Sequence, residues 1–148
     1  MEDYIHFIKY NSKIFRNLQS SIDNSISKYG LTCGTYPYLL NLAGNEGISQ
    51  SKLAFEVGHD KAMTARSITK LIEIGLIYKK EDSSDSRAYQ LFLTDKAKSI
   101  IPDIKKEFYN LSRLITKDIN QNEIKVTLSS LEKILENTIT IKTTEDTF

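Results

Sequence analysis

At 148 residues the chain has room for one domain or one compact subunit, and 40% apolar with 26% charged residues are ordinary globular values. Its formal net charge of +1 gives no global attraction for nucleic acid, and a single cysteine, Cys33, excludes an intrachain disulfide. Apolar runs of a few residues fall far short of the roughly 20 that span a bilayer, and the N-terminus M-E-D-Y-I-H-F-I-K-Y has acids where a signal peptide has bases, so the chain reads as cytoplasmic with no membrane partner.

From Tyr4 to Lys28, the residues Ile5, Ile8, Phe15, Leu18, Ile22 and Ile26 recur at spacings of three, four and seven, which predicts an amphipathic helix. Tyr29-Gly30 ends it, with Gly30 suited to a left-handed cap. Thr35 is the expected N-cap of a second helix, with Pro37 in its first turn and Tyr38, Leu39, Leu42 and Ala43 on it. That helix stops near Gly44-Asn45. Ser49 caps a short third helix carrying Leu53, Ala54 and Val57, which ends at Gly58. Asp60 caps a fourth, where its carboxylate meets free N–H groups and the positive end of the dipole. There Thr64, Ile68, Leu71 and Ile74 form a core stripe, Arg66, Thr69, Lys70 and Glu73 lie away from it, and Gly75 closes the helix.

Leu76 to Lys80 and Ala88 to Leu93 alternate and are rich in Ile, Tyr, Leu and Phe, so they read as a two-stranded hairpin around the polar tip E-D-S-S-D-S-R. Thr94-Asp95 opens a long helix bearing Ala97, Ile100, Ile101, Ile104, Phe108, Leu111, Leu114 and Ile115, which Pro102 should kink or start later. Asn120 to Asn122 interrupts the pattern. A last helix carries Ile124, Leu128, Leu131, Ile134 and Leu135 before a polar tail from Lys142 to Phe148 that is expected to fray.

Two short helices, a tight turn and a hairpin with a charged tip make a winged helix-turn-helix. The fold class is therefore mainly α with a small β-hairpin wing. The first helix and the last two are long and apolar. A helix of about 25 residues is roughly 37 Å long, more than a small winged domain covers, so pairing with the copies in a second subunit is expected.

The chain resembles the MarR family of transcriptional regulators over nearly its whole length. The likeness is carried by Leu31-Thr32 with Tyr36 to Leu40, then I-S-Q-S-K-L-A, D-K-A-M-T-A-R, L-I-E-I-G-L-I, D-S-S-D-S-R and L-F-L-T-D-K-A, in that order and spacing. The resemblance implies dimerisation helices at 1–30 and 95–141, a DNA-binding lobe at 31–94 and a frayed tail at 142–148. It implies a homodimer on a pseudo-palindromic site in double-stranded DNA, most often as a repressor. In many members a small-molecule effector or cysteine oxidation releases the DNA. Three positions depart from the family pattern: Ser83 or Ser84 replaces a common wing proline, Ser86 stands where a base is frequent, and Ala97 replaces a glycine. The first two thin the wing's positive charge.

A helix fits the major groove with its exposed N-terminal side chains on base edges. By position, Lys61, Met63, Ala65, Arg66, Thr69 and Lys70 are the candidates. Arg66 can fork onto the two acceptors of guanine, and the family motif places an arginine there; the plainer reading is a phosphate contact or an ion pair with Glu73 or Asp60. Lys61 and Lys70 suit phosphate, which positions without reading sequence. Thr69 and Ser49 can donate to phosphate or serve as helix surface and cap. Lys61 to Lys80 holds five bases and one acid, a local +4, which is also what a solvated face looks like. Lys79 and Lys80 flank the wing or guard a strand edge. Asp85 and Arg87 match the family's wing pair, the acid holding the arginine at a minor groove; a turn pair without DNA contact is the alternative.

His6 and His59 lie far apart with no metal-ligand spacing, and no phosphate or dinucleotide loop occurs, so neither a metal nor a cofactor is expected. Cys33, His59 and Asp60 make no nucleophile set, because Asp60 has a capping role and nothing forms an oxyanion hole. The chain reads as no enzyme. Cys33 precedes the second helix, whose N-terminus can lower a thiol pKa, so oxidant sensing stays open. His6, Tyr10, Tyr36 and Tyr38 fall near where effectors of the family bind, yet aromatics at helical spacing are more often core. The rival reading is a winged-helix module that docks a protein and binds no DNA.

Overall fold

The computed structural model of the chain describes residues 2–81 and 89–145. The elements run α1 (Glu2–Ile26), a single 3₁₀ turn (Ser27–Tyr29), α2 (Tyr36–Leu42), β1 (Ile48–Ser49), α3 (Gln50–Val57), α4 (Lys61–Glu73), β2 (Ile77–Glu81), β3 (Tyr89–Leu93), α5 (Asp95–Ile115) and α6 (Gln121–Glu145). The chain divides into two compact units, residues 1–109 and 110–148, with the boundary inside α5. The expected class holds: helices with one small antiparallel sheet.

The first unit is built on a single apolar core. Ile26, Leu31, Tyr38, Leu39, Leu42, Leu53, Ile68, Leu71, Leu76, Ile77, Leu91, Ala97 and Ile104 are buried together. These residues come from α1's last turn, α2, α3, α4, the sheet and the first half of α5, with Leu31 and Leu76 from the turns before α2 and β2. The left-handed turn at Gly30 (φ 73°) sends the chain from the 3₁₀ turn toward α2; a side chain there would be strained and would meet Ile74.

Three sequence expectations need correcting. Thr35 stands before α2 but its side chain does not cap the helix. It folds back on the preceding turn, where Oγ1 accepts from the Thr32 N–H at 2.9 Å and donates to the Thr32 carbonyl at 3.2 Å. The hairpin is also not alone. Its sheet has three strands in the order β1-β3-β2, with Ile48 opposite Leu91 and Ser49 opposite Gln90. In α5, the helix begins at Asp95 and continues through Pro102, so the proline does not delay its start. Thr94 Oγ1 receives the Ala97 N–H at 3.1 Å and caps that start.

In the second unit, Asn120 and Glu123 form a reciprocal capping box. Asn120 Oδ1 accepts from the Glu123 N–H at 3.0 Å, and Glu123 Oε2 accepts from the Asn120 N–H at 2.9 Å. Helical backbone then continues to Glu145, so the polar segment from Lys142 begins as helix. No residue of α6 from Gln121 to Ile141 is buried. Within the first unit, α1 buries Ile26 alone.

Candidate nucleic-acid interface

The helix-turn-helix is held by caps that the sequence announces. Ser49 Oγ accepts from the Lys52 N–H at 3.2 Å and starts α3, and Gly58 ends it in the left-handed region (φ 77°). Asp60 Oδ1 accepts from the Met63 N–H at 2.7 Å and starts α4. That bond, helped by the Ala62 N–H and the charge of Arg66, holds the Asp60 carboxyl below the usual range.

α4 then divides cleanly. Thr64, Ser67, Ile68 and Leu71 are buried, and Ser67 Oγ donates to the Gly34 carbonyl at 3.2 Å. Lys61, Met63, Ala65, Arg66, Thr69 and Lys70 are all exposed on the other side. Ile74, expected on the core stripe, is only partly buried, and Ser67 takes a core position that polarity had hidden. Lys70 lies 3.9 Å from Glu73, an exposed i,i+3 pair that contributes little. Ser49 is exposed beside its cap, with a hydroxyl hydrogen still free to donate outward.

The turn between α3 and α4 is fastened from beneath. Tyr38 Oη of α2 lies 2.8 Å from His59 Nδ1 and 3.2 Å from Thr64 Oγ1, and Thr64 Oγ1 donates to the Asp60 carbonyl at 2.8 Å. A depression of about 80 Å³ between the starts of α3 and α4 is lined by Gln50, Ser51, Ala54, Lys61 and Thr64. Sites for drug-sized ligands run to roughly 300 Å³ or more.

The sheet carries the base of the wing. Lys79 and Lys80 are exposed on the edge strand β2, and Lys79 Nζ lies 6.0 Å from the centre of the Tyr89 ring. Tyr78 and Phe92 stack across the two strands with ring centres 5.6 Å apart. Asp85 and Arg87, the wing candidates, lie outside the described residues. Glu46, unremarked in the sequence, binds this sheet to α5. Its carboxylate accepts from the Leu93 N–H at 2.8 Å and from Lys98 Nζ at 3.1 Å, and the same two donors hold its pKa down. Thr94 Oγ1 donates to the Gly75 carbonyl at 2.8 Å, and Lys96 Nζ to the Ile74 carbonyl at 2.8 Å, covering the C-terminal end of α4.

The remaining candidates do not gather into one site. His6 pairs with Tyr10 on α1, Tyr36 meets the edge of Phe108 at 4.8 Å, and Tyr38 joins His59 and Thr64. Cys33 sits in the turn before α2, where its N–H donates to Asp23 Oδ1 at 2.5 Å. Burial pushes the Cys33 thiol up, and the nearby Asp23 carboxylate adds to it, the reverse of the lowering considered from its position ahead of a helix. A raised thiol pKa leaves less thiolate, the form that reacts with oxidants. Among the described residues no group of three or more His, Cys, Asp or Glu could hold a metal ion, and no helix is long and apolar enough to cross a membrane.

Comparison with known proteins bears on this surface. The family model for the MarR family matches residues 31–89, from the buried Leu31 to β3. The chain is 34% identical over 127 residues to the HTH-type transcriptional regulator BilQ of Clostridioides difficile (strain CD3), covering 83% of this chain and 86% of that protein. A crystal structure of a MarR transcriptional regulator from Methanosarcina mazei Go1 superposes with a TM-score of 0.84 at 34% identity, over 92% of this chain and 99% of that one. A MarR-family transcriptional regulator from Listeria monocytogenes, solved in complex with a 26mer DNA, superposes with a TM-score of 0.81 at 28% identity, over 88% of this chain and 87% of that one.

Proposed function

The chain belongs to the MarR family of transcriptional regulators, and on that premise we propose that it binds double-stranded DNA as a sequence-specific homodimer in the cytoplasm. The observation that carries the proposal is the division of α4. Its apolar face is spent on the core, while Lys61, Met63, Ala65, Arg66, Thr69 and Lys70 stand together in solvent. In this reading Arg66 forks onto a guanine, Lys61 and Lys70 meet phosphates, and the Ser49 and Thr69 hydroxyls donate to the backbone. Arg87, oriented by Asp85, borders the minor groove. The relative crystallised on a 26mer DNA supports the docking by likeness of fold.

The homodimer rests on apolar side chains left open in the single chain. Tyr4, Ile5, Ile8 and Phe15 on α1, and Val126, Leu128, Leu135 and Ile139 on α6, are exposed. Two-fold pairing is the commonest way to bury such faces. A dimer places two α4 helices on a pseudo-palindromic operator, and repression follows when that operator overlaps a promoter. A small-molecule effector that changes the spacing of the two helices would release it. The work is binding, with no chemistry performed on the DNA.

A second reading, a docking module for another protein, draws support from the net charge of +1 and from Phe55, 82% exposed on α3. Salt separates the two. In fluorescence anisotropy of a labelled mixed-sequence duplex, a DNA binder making six or more phosphate contacts loses about a thousandfold in affinity between 50 and 200 mM salt. Absence of measurable affinity at 50 mM salt would leave the docking reading.

A further inference from the structure

We propose that the Tyr38 hydroxyl and the His59 imidazole are positioning groups for sequence discrimination: they fix the direction in which α4 leaves the turn, without touching DNA. The inference rests on the DNA-binding reading above.

The hydrogen count makes the arrangement directional. Thr64 has one hydroxyl hydrogen, and it is donated to the Asp60 carbonyl at 2.8 Å. Toward Tyr38, at 3.2 Å, Thr64 Oγ1 is therefore the acceptor. For both contacts to be hydrogen bonds, the single hydrogen of Tyr38 must go to Thr64, and the Tyr38 oxygen must accept from His59 Nδ1–H at 2.8 Å. The relay runs His59 to Tyr38 to Thr64 to the Asp60 carbonyl. It needs a proton on Nδ1, which both the neutral Nδ1–H tautomer and the imidazolium carry.

Tyr38 and Thr64 are fully buried. A buried donor or acceptor left unmade costs more than the bond returns, so the relay is satisfied in only one setting of α4 against α2. Thr64 lies in α4's first turn, beside Met63 and two residues before Arg66. A bidentate arginine contact tolerates roughly half an ångström of error, while a phosphate contact by a long lysine tolerates more. Loss of the relay should therefore lower affinity for the preferred sequence and spare non-specific affinity.

The test compares two duplexes of one length, one enriched from a randomised pool and one of random sequence, by anisotropy. The proteins are the wild-type chain, Tyr38→Phe, His59→Ala, His59→Asn and the double variant Tyr38→Phe/His59→Ala. The expected result is a fall of about three- to tenfold in the ratio of the two affinities for Tyr38→Phe and His59→Ala, with the salt dependence unchanged. His59→Asn, whose amide N–H sits near the place of Nδ1–H, should restore the ratio. The double variant should fall no further than either single. A wild-type ratio in both Tyr38→Phe and His59→Ala overturns the inference, as does an equal loss on both duplexes, which marks a purely structural role. If Tyr38→Phe does not fold, the His59 pair decides by the same criteria. A wild-type chain that prefers no duplex overturns the DNA-binding reading itself, an outcome distinct from the others.

Discussion

α4 and α6 both interleave apolar and polar residues, yet they leave opposite surfaces open. α4 buries Thr64, Ser67, Ile68 and Leu71 within its own unit and turns Lys61, Arg66 and Lys70 outward. α6 buries nothing from Gln121 to Ile141 and holds Val126, Leu128, Leu135, Ile139 and Ile141 in solvent. Apolar area left in water costs about 25 cal/mol per Å² until something covers it. A helix whose greasy side is already satisfied is free to meet a charged, hydrated partner. A helix whose greasy side is open needs an apolar one. On the proposed reading the two surfaces take different partners, DNA for α4 and a second copy of the chain for α6.

Four experiments break or sharpen that contrast. The largest effect belongs to Leu128→Glu with Leu135→Glu, one heptad apart on α6. Each buried charge costs about 3 kcal/mol, and two-fold symmetry doubles every loss. Sedimentation equilibrium should show the 16.9 kDa single chain, with far-UV circular dichroism unchanged; an unaltered dimer mass would remove α6 from the interface. Ile68→Ala comes next. Its side chain is fully buried on α4, and large-to-small core changes cost about 2–5 kcal/mol, to be read by urea unfolding. A cost near zero would deny α4 its packed face.

Arg66→Ala strikes the other side of the same helix. Duplex affinity should fall by about 1–3 kcal/mol, while the urea midpoint stays put because Arg66 is exposed. Unchanged affinity would argue that α4 does not lie on DNA. The smallest effect is at the caps. The Asp60 carboxyl is held below its ordinary range by the Met63 N–H, so its contribution to stability is present above about pH 4 and is lost as pH falls below it. α6 starts instead on the Asn120 side-chain amide, which does not titrate. Asp60→Asn should thus flatten the acid limb of a thermal-midpoint-against-pH curve and change little at pH 7. An identical acid limb in the variant would assign that limb to other carboxylates.

Local features were legible in the sequence, and contacts between distant segments were not. Ser49 and Asp60 announce their helices because a cap needs only the next three residues. Gly30 and Gly58 were recognisable for the same reason. β1 was missed because two residues carry no alternation, and its partner Leu91 lies far along the chain. Thr35 looked like a cap, but the Thr32 N–H competes for the same oxygen. Glu46 carries no local signal of its role, which depends on Leu93 and Lys98 being brought to it. Of the interface, the exposed face of α4 was readable by helical period, whereas the Tyr38 link beneath it required α2 and the turn to be placed together. Asp85 and Arg87 fall outside the described residues.

One selection tests both open surfaces together. The purified chain is incubated with a randomised duplex pool at about 0.1 M salt, and the bound fraction is sequenced. Two inverted half-sites with centres about 10 base pairs apart are the predicted result, because in the proposed dimer one α4 per subunit reads each half and the two-fold axis sets the spacing. A folded chain that enriches no sequence, or only a single unrepeated half-site, would contradict the account.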